Sequence, residues 1–252
     1  MAPLDVEFVS RGYELDARGV VPPHVLLRYM EHMRWENALK STTDVDSILR
    51  SGRSFVVVAQ TVQILRYIGM AVRMRGTVWV GRIGRTSMDF HHVIHRTEDS
   101  ELLVTGNVTI VYLGTDGTPT PLPERLRHAR SDSPWTVEPK PPEFTAIPSQ
   151  TFDRQYRVRA DDLDLLQHVN QANYAAFYDD ARQIAASRNV YGKDGLGGGR
   201  IRLLHIEYSS SAVMGEELSV GTWLVRTEPL TLGFVLRHDD DMLSRAVALV
   251  GN

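Results

Sequence analysis

Apolar side chains recur at i, i+3, i+4 and i+7 in two places along the chain, first at Leu26, Tyr29, Met30 and Met33 and again at Tyr174, Phe177, Tyr178 and Ala181. At about 100° per residue this spacing gathers one apolar face on each of two helices, so each is expected to bury one side. The stripes are related by an offset of 174 − 26 = 148 residues, and polar positions follow it as well, Glu31 with Asp179 and Arg34 with Arg182. Agreement on both faces points to one unit used twice.

Downstream of each helix the period changes to two. Val72, Met74, Gly76, Val78 and Val80 alternate in the first half and Leu218, Val220, Thr222 and Leu224 in the second, at 218 − 72 = 146, which predicts a loss of two residues between helix and sheet, where loop length varies most easily. Further alternation at Met88, Phe90, His92 and Ile94 and at Val104, Gly106, Val108 and Ile110 has parallels around Phe234, Leu236, Ala246, Ala248 and Val250. Each half therefore reads as strand, helix, then about four strands, an α+β unit. Eight prolines between Pro119 and Pro148 rule out a continuous helix or central strand there. This divides the chain into an N-terminal unit (1–122), a proline-rich linker (123–150) expected to run as a surface strap, and a C-terminal unit (151–252). The segment Gly195-Leu196-Gly197-Gly198-Gly199 reads as a flexible loop, because a phosphate-binding loop needs Gly-Lys-Ser/Thr opening a helix.

Composition narrows the chemistry. The 252 residues carry a net charge of −3, without the basic excess that a nucleic-acid surface requires, so no nucleic-acid partner is expected. Cysteine is absent, which removes disulfides, thiolate metal sites and a thiol nucleophile. The N-terminus does not read as a signal peptide, and no stretch approaches the roughly 18 apolar residues of a membrane span; a soluble, cytoplasmic protein without membrane insertion is expected. His91, His92 and His95 do not converge on a strand, where 91 and 95 share a face and 92 takes the other, so they are expected to be exposed sheet residues and no metal is expected. Arg66, Arg73, Arg75, Arg82 and Arg85 read as a solvated charged face, with an acidic carrier as the alternative.

The densest chemistry lies in Asp162-Leu163-Asp164-Leu165-Leu166-Gln167-His168-Val169-Asn170, ahead of the second helix, where carboxylate, imidazole and amide stand together. Its counterpart 148 residues earlier is Glu14-Leu15-Asp16-Ala17-Arg18-Gly19-Val20-Val21-Pro22. Read alone, Asp164 is either a helix cap or a carboxylate poised beside the unpaired N–H groups of a helix start. Asn170 either binds a ligand or satisfies turn backbone, and Asp162 reads as a cap or turn former. Asp16, with Val20 where the later copy has His168, is either a structural relic or a second candidate site.

A helix wrapped by a curved antiparallel sheet and duplicated within one chain resembles the double hotdog of thioesterases and dehydratases. The sequence Asp162-Leu163-Asp164 with Gln167-His168-Val169-Asn170 and Asn173-Tyr174 resembles the second hotdog half of the acyl-ACP thioesterase family, within the 4-hydroxybenzoyl-CoA-thioesterase-like superfamily, and Tyr13-Glu14-Leu15 resembles the opening of its first half. The resemblance implies hydrolysis of fatty acyl-ACP or acyl-CoA thioesters without a cofactor. It also implies Asp164 as catalytic carboxylate, His168 as its partner and Asn170 as a third member. Asn173, Tyr174, Phe177 and Tyr178 would serve the substrate, an acyl thioester on the phosphopantetheine of acyl carrier protein or CoA, in a monomer or homodimer. Two positions depart from the family: Leu166 stands where Asn is expected, and Ser211-Ala212 where a Glu-Cys pair is expected. The alternatives are a hotdog hydratase or dehydratase and an acyl-binding module without catalysis.

Overall fold

The computed structural model describes residues 2–40, 50–131, 135, 139–192 and 196–251. It divides into two compact units, Met1–Pro139 and Lys140–Asn252.

In the first unit the order is β1 (Leu4–Val9), α1 (Pro23–Lys40), β2 (Ser54–Ile64), β3 (Arg73–Ile83), β4 (Ser87–Arg96) and β5 (Leu102–Leu113). All pairings are antiparallel, in the spatial order β1-β3-β4-β5-β2. The second unit repeats this with β6 (Phe152–Arg157), α2 (Gln171–Ser187), β7 (Arg200–Tyr208), β8 (Glu217–Thr227), β9 (Leu230–His238) and β10 (Asp241–Gly251), ordered β6-β8-β9-β10-β7. Each unit is thus a hotdog, and the chain is a tandem pair.

Each helix buries the stripe expected of it. Met30 and Met33 are fully buried on α1, as are Tyr178 and Ala181 on α2. In the first unit, Gly76 of β3 and Gly106 of β5 admit α1. A Cβ at Gly76 would come within 2.6 Å of Met33, and one at Gly106 within 2.4 Å of Met30; the missing side chains allow the helix to seat directly on the sheet. An aromatic pair recurs under the second turns of both helices. Phe8 packs on Tyr29 at 4.8 Å and Tyr156 on Phe177 at 5.0 Å, the hydroxyl having changed partner between copies.

Strand register corrects the expected spacing between halves. Val6 pairs with Gly76 and Arg154 with Val220, so β1 and β6 are 154 − 6 = 148 apart while β3 and β8 are 220 − 76 = 144 apart. Four residues, rather than two, are lost between helix and sheet. Alternating apolar residues look alike after any even shift, so period two could not fix the offset; hydrogen-bond register does.

Three further expectations change. His92 and His95 are buried, at 2% and 7% exposure, instead of lying on an open face. His92 is directly paired with Gly106 and therefore points toward α1, where burial, with the Arg34 charge, holds its pKa well below the usual value. The glycine segment is pinned, not free: the buried guanidinium of Arg182 donates to the carbonyls of Gly197 and Gly199 while pairing with Asp179 at 2.6 Å; Gly195 lies outside the described residues. The start of the proline-rich segment packs with the first unit. Leu126, Ala129 and Ser131 are buried, Ser131 N–H donates to Val80 O at 2.9 Å, and Trp135 stands against His95. Arg66, Arg73, Arg75, Arg82 and Arg85 are exposed, with Arg66 paired to Glu101 and Arg82 to Asp89.

Candidate active site

The segment ahead of α2 is a tight loop built by Asp164. Asp164 N–H donates to His168 O at 2.8 Å, and Gln167 N–H to Asp164 O at 3.1 Å. The carboxylate closes the loop from inside, Oδ1 accepting from Leu166 N–H at 2.8 Å and His168 N–H at 3.4 Å. Gln167 takes the left-handed conformation (φ 61°) that this turn requires. Among the described residues no hydrogen bond falls on Oδ2, so the loop uses one carboxylate oxygen and leaves the other uncommitted.

Asp164 is not the helix cap. That place belongs to Asn170, whose side-chain oxygen accepts from Ala172 N–H at 2.9 Å while its backbone carbonyl accepts from Asn173 N–H at 2.8 Å. Asparagine is among the favoured N-caps because its oxygen satisfies a donor the first turn leaves unpaired. Asn170 therefore has a structural task that the sequence left undecided, and the helix start at Gln171 lies seven residues beyond Asp164 instead of directly behind it. Asp162 folds the approach, its Oδ2 accepting from Arg159 N–H at 2.9 Å and its carbonyl accepting both Asn170 N–H and the Asn173 side-chain amide. Asn173 is buried and commits a donor to that carbonyl.

His168 is half-buried and lies in a short antiparallel bridge with Val213. The neighbouring residue ties the same segments, Val169 N–H donating to Ala212 O at 2.9 Å. Ser211-Ala212 therefore lies beside the Asp164 loop, and the place where the family pattern has a carboxylate holds a serine and a fully buried alanine. The hydroxyl of Tyr174 reaches this segment from α2, accepting from Ala212 N–H at 3.1 Å. Tyr174 is 1% exposed, and burial, with smaller contributions from the negative charges of Glu216 and Asp164, raises its pKa to about 12. Phe177 stacks on Tyr156, and the buried Tyr178 hydroxyl meets Ser244 at 2.5 Å.

Glu216 escaped the sequence reading. Its Oε2 accepts from Val213 N–H at 3.0 Å, and its Oε1 stands 3.6 Å from His238 Nδ1. The signal was present but displaced: at an offset of 146 Glu216 falls opposite Met70, whereas the observed 144 sets it opposite Val72.

The Asp16 loop has the same construction. Asp16 N–H donates to Val20 O at 2.8 Å and Gly19 N–H to Asp16 O at 2.9 Å, while Asp16 Oδ1 accepts from Arg18 N–H at 2.9 Å and Val20 N–H at 3.1 Å. Gly19 takes the left-handed position of Gln167. Val20 stands there in place of the His168 imidazole. No group of three or more His, Cys, Asp or Glu side chains suited to a metal occurs among the described residues, and no helix there is long and apolar enough to cross a membrane.

Fold and loops together define a double-hotdog protein whose second unit carries a carboxylate–imidazole loop ahead of its central helix. Comparison with known proteins agrees with both halves. Residues 11–129 match the thioesterase-like superfamily and residues 146–247 match the acyl-ACP thioesterase C-terminal domain. The chain belongs to the double-hotdog acyl-ACP thioesterase family of that superfamily. The chloroplastic acyl-acyl carrier protein thioesterase ATL2 of Arabidopsis thaliana is 25% identical over 123 residues, covering 49% of this chain and 65% of that protein. An acyl-ACP thioesterase structure from Bacteroides thetaiotaomicron is similar at a TM-score of 0.84 with 16% identity, covering 99% of this chain and 98% of that one. The 12:0-ACP thioesterase of Umbellularia californica gives 0.80 with 17% identity, covering 98% and 93%. At these identities the structural likeness speaks for the fold.

Proposed function

We propose that the protein hydrolyses fatty acyl thioesters of acyl carrier protein or CoA, releasing a fatty acid and the carrier thiol. The observation that carries this reading is the Asp164 loop, which closes on the His168 backbone and leaves one carboxylate oxygen uncommitted, in the unit that matches the acyl-ACP thioesterase domain. In the reaction, water adds to the thioester carbonyl and gives its proton to the Asp164 carboxylate. The tetrahedral intermediate then expels the thiolate, which takes up a proton, with His168 polarising the water or carrying that proton. Direct attack by Asp164, followed by hydrolysis of the mixed anhydride, gives the same products.

In this reading Asn170 and Asn173 hold the loop in place instead of contacting the reacting atoms. Tyr174, Phe177 and Tyr178 form the wall of α2 on the acyl side. Asp16 builds its loop without catalysis, since Val20 offers no proton carrier. The cytoplasm is the proposed compartment, and a monomer or homodimer the proposed state.

The test is release of free thiol from a series of acyl-CoA and acyl-ACP substrates by the purified protein, with an enoyl thioester included. Thiol release from saturated chains supports hydrolysis. Hydration of the enoyl substrate without thiol release would make the protein a hydratase, and saturable binding without either product would make it an acyl-binding module, the reading that Leu166 and Ser211 favour.

A further inference from the structure

Bonds shared by the two halves build the loop. A polar group present in one half alone has another reason to be there. Asn170 and Asn173, opposite Pro22 and Val25, have that reason in the helix start and the Asp162 carbonyl that they bind, and His168, Tyr174 and Glu216 differ as well. Val20 is replaced by His168 and Leu26 by Tyr174, each 148 residues on. Val72 is replaced by Glu216, 144 residues on. That last pairing is fixed by equivalent hydrogen bonds, Ser10 N–H to Val72 O at 3.1 Å and Val158 N–H to Glu216 O at 2.9 Å. It is repeated by Ala71 N–H to Ser10 O and Gly215 N–H to Val158 O, with Ala71 and Gly215 both at positive φ.

The two added side chains act on successive amides. Tyr174 takes Ala212 N–H at 3.1 Å and Glu216 takes Val213 N–H at 3.0 Å. Val213 is the bridge partner of His168, and Ala212 O holds Val169 N–H. In the first unit the corresponding turn is closed by Ser10 instead, whose hydroxyl accepts from Val72 N–H at 3.0 Å and donates to Gly69 O at 2.6 Å. There Leu26 has no polar atom to reach from α1, and Val20 has no ring to aim.

We propose that Tyr174 and Glu216 are positioning residues that clamp the backbone opposite His168, from α2 and from the turn, and thereby fix where its imidazole stands relative to the Asp164 carboxylate. Glu216 brings a carboxylate to the neighbourhood that Ser211 leaves without one. The Tyr174 half of the clamp is dry, with Ala212 and Tyr174 at 0% and 1% exposure, so water does not replace that bond when the hydroxyl is removed, whereas the Glu216 half lies at the surface, Val213 being exposed. Tyr174 keeps its proton through the neutral range, because burial raises its pKa to about 12.

This inference rests on the hydrolytic reading of Asp164, and its experiment separates the two. Thiol release from one acyl-CoA is followed for wild type and for Asp164→Asn, Glu216→Ala, Glu216→Gln and Tyr174→Phe, with kcat and KM resolved, the pH profile of kcat recorded and a thermal melt for each protein. A catalytic group displaced by about 1 Å costs up to about 10²-fold in rate. Glu216→Ala and Tyr174→Phe are therefore expected to lower kcat by about 10- to 100-fold, to leave KM within about threefold and to shift a limb of the pH profile. Glutamine keeps an oxygen for the Val213 amide, so Glu216→Gln is expected to recover most of the kcat lost in Glu216→Ala. Wild-type kcat and pH profile in both Glu216→Ala and Tyr174→Phe, or equal losses in Glu216→Gln and Glu216→Ala, overturn the clamp while leaving Asp164 its role. No thiol release by wild type overturns the hydrolytic reading itself. Should Glu216→Ala fail to fold, Tyr174→Phe decides.

Discussion

Replacing Asp16 and Asp164 separately by alanine asks the duplicated chain to act as its own control. Each carboxylate accepts two loop N–H groups, at 2.9 and 3.1 Å for Asp16 and at 2.8 and 3.4 Å for Asp164. Both residues are half-buried, so the lost bonds are partly replaced by water, and each substitution is expected to cost about 1–2 kcal/mol, the range of a lost cap or turn acceptor. For a chain of this size that lowers Tm by about 2–8 °C, well within a total stability of about 5–15 kcal/mol. Both variants stay folded. Their activities should part sharply. Removing a general base typically costs about 10²- to 10⁴-fold, or about 2.7–5.4 kcal/mol in the barrier at 1.36 kcal/mol per tenfold. The catalytic loss at Asp164 therefore exceeds its stability loss, while at Asp16 the stability loss stands alone. Melting curves and thiol-release kinetics on the two proteins read both quantities. Comparable loss of activity in Asp16→Ala would refute the assignment of one site to the second unit, and equal activity in both would refute Asp164.

Asn170→Ala should cost about 1 kcal/mol through the lost cap on Ala172 N–H, with Asn170→Ser recovering most of it in urea denaturation; no loss would mean that the cap bond contributes nothing. Gly106→Ala drives a methyl into Met30 and should destabilise by about 1–3 kcal/mol, and a melt unchanged from wild type would show that α1 does not seat on β5 at that point. His92 is buried neutral, its pKa lowered by burial and by the charge of Arg34. The unfolded chain binds a proton near pH 6.5 that the folded chain refuses, so its contribution to stability is full above about 6.5 and is lost as pH falls below that value. His92→Phe, which copies Phe234 at the equivalent place in β9, should flatten the fall in the urea midpoint between pH 7.5 and 5.5, and an unchanged slope would assign it to other groups.

Much of this molecule is written in its periodicities, and the failures have physical reasons. The helical stripes at Leu26–Met33 and Tyr174–Ala181 were legible because a period of 3.6 repeated on two faces fixes register without ambiguity. The strands were legible as strands, but their offset was not, since alternation is unchanged by a shift of two residues; that error hid Glu216 behind Met70. Asp164 stood out as a chemical residue, yet whether it capped the helix depended on where the helix began. Asn170, itself a good cap, decided that. The histidines of β4 were misread because both faces of that strand are covered, His92 facing α1 and His95 lying against Trp135. Coverage of the second face comes partly from a proline-rich segment with no pattern of its own.

In the proposed mechanism the uncommitted oxygen of Asp164 carries thioester hydrolysis. Asp164→Asn tests it most directly, because the amide oxygen can still accept from Leu166 and His168 N–H and so keeps the loop, while the charge and the proton acceptor are gone. The rate of thiol release from an acyl-ACP or acyl-CoA substrate is predicted to fall by about 10²-fold or more, with substrate binding and Tm close to wild type. Turnover in that variant equal to wild type would contradict the account.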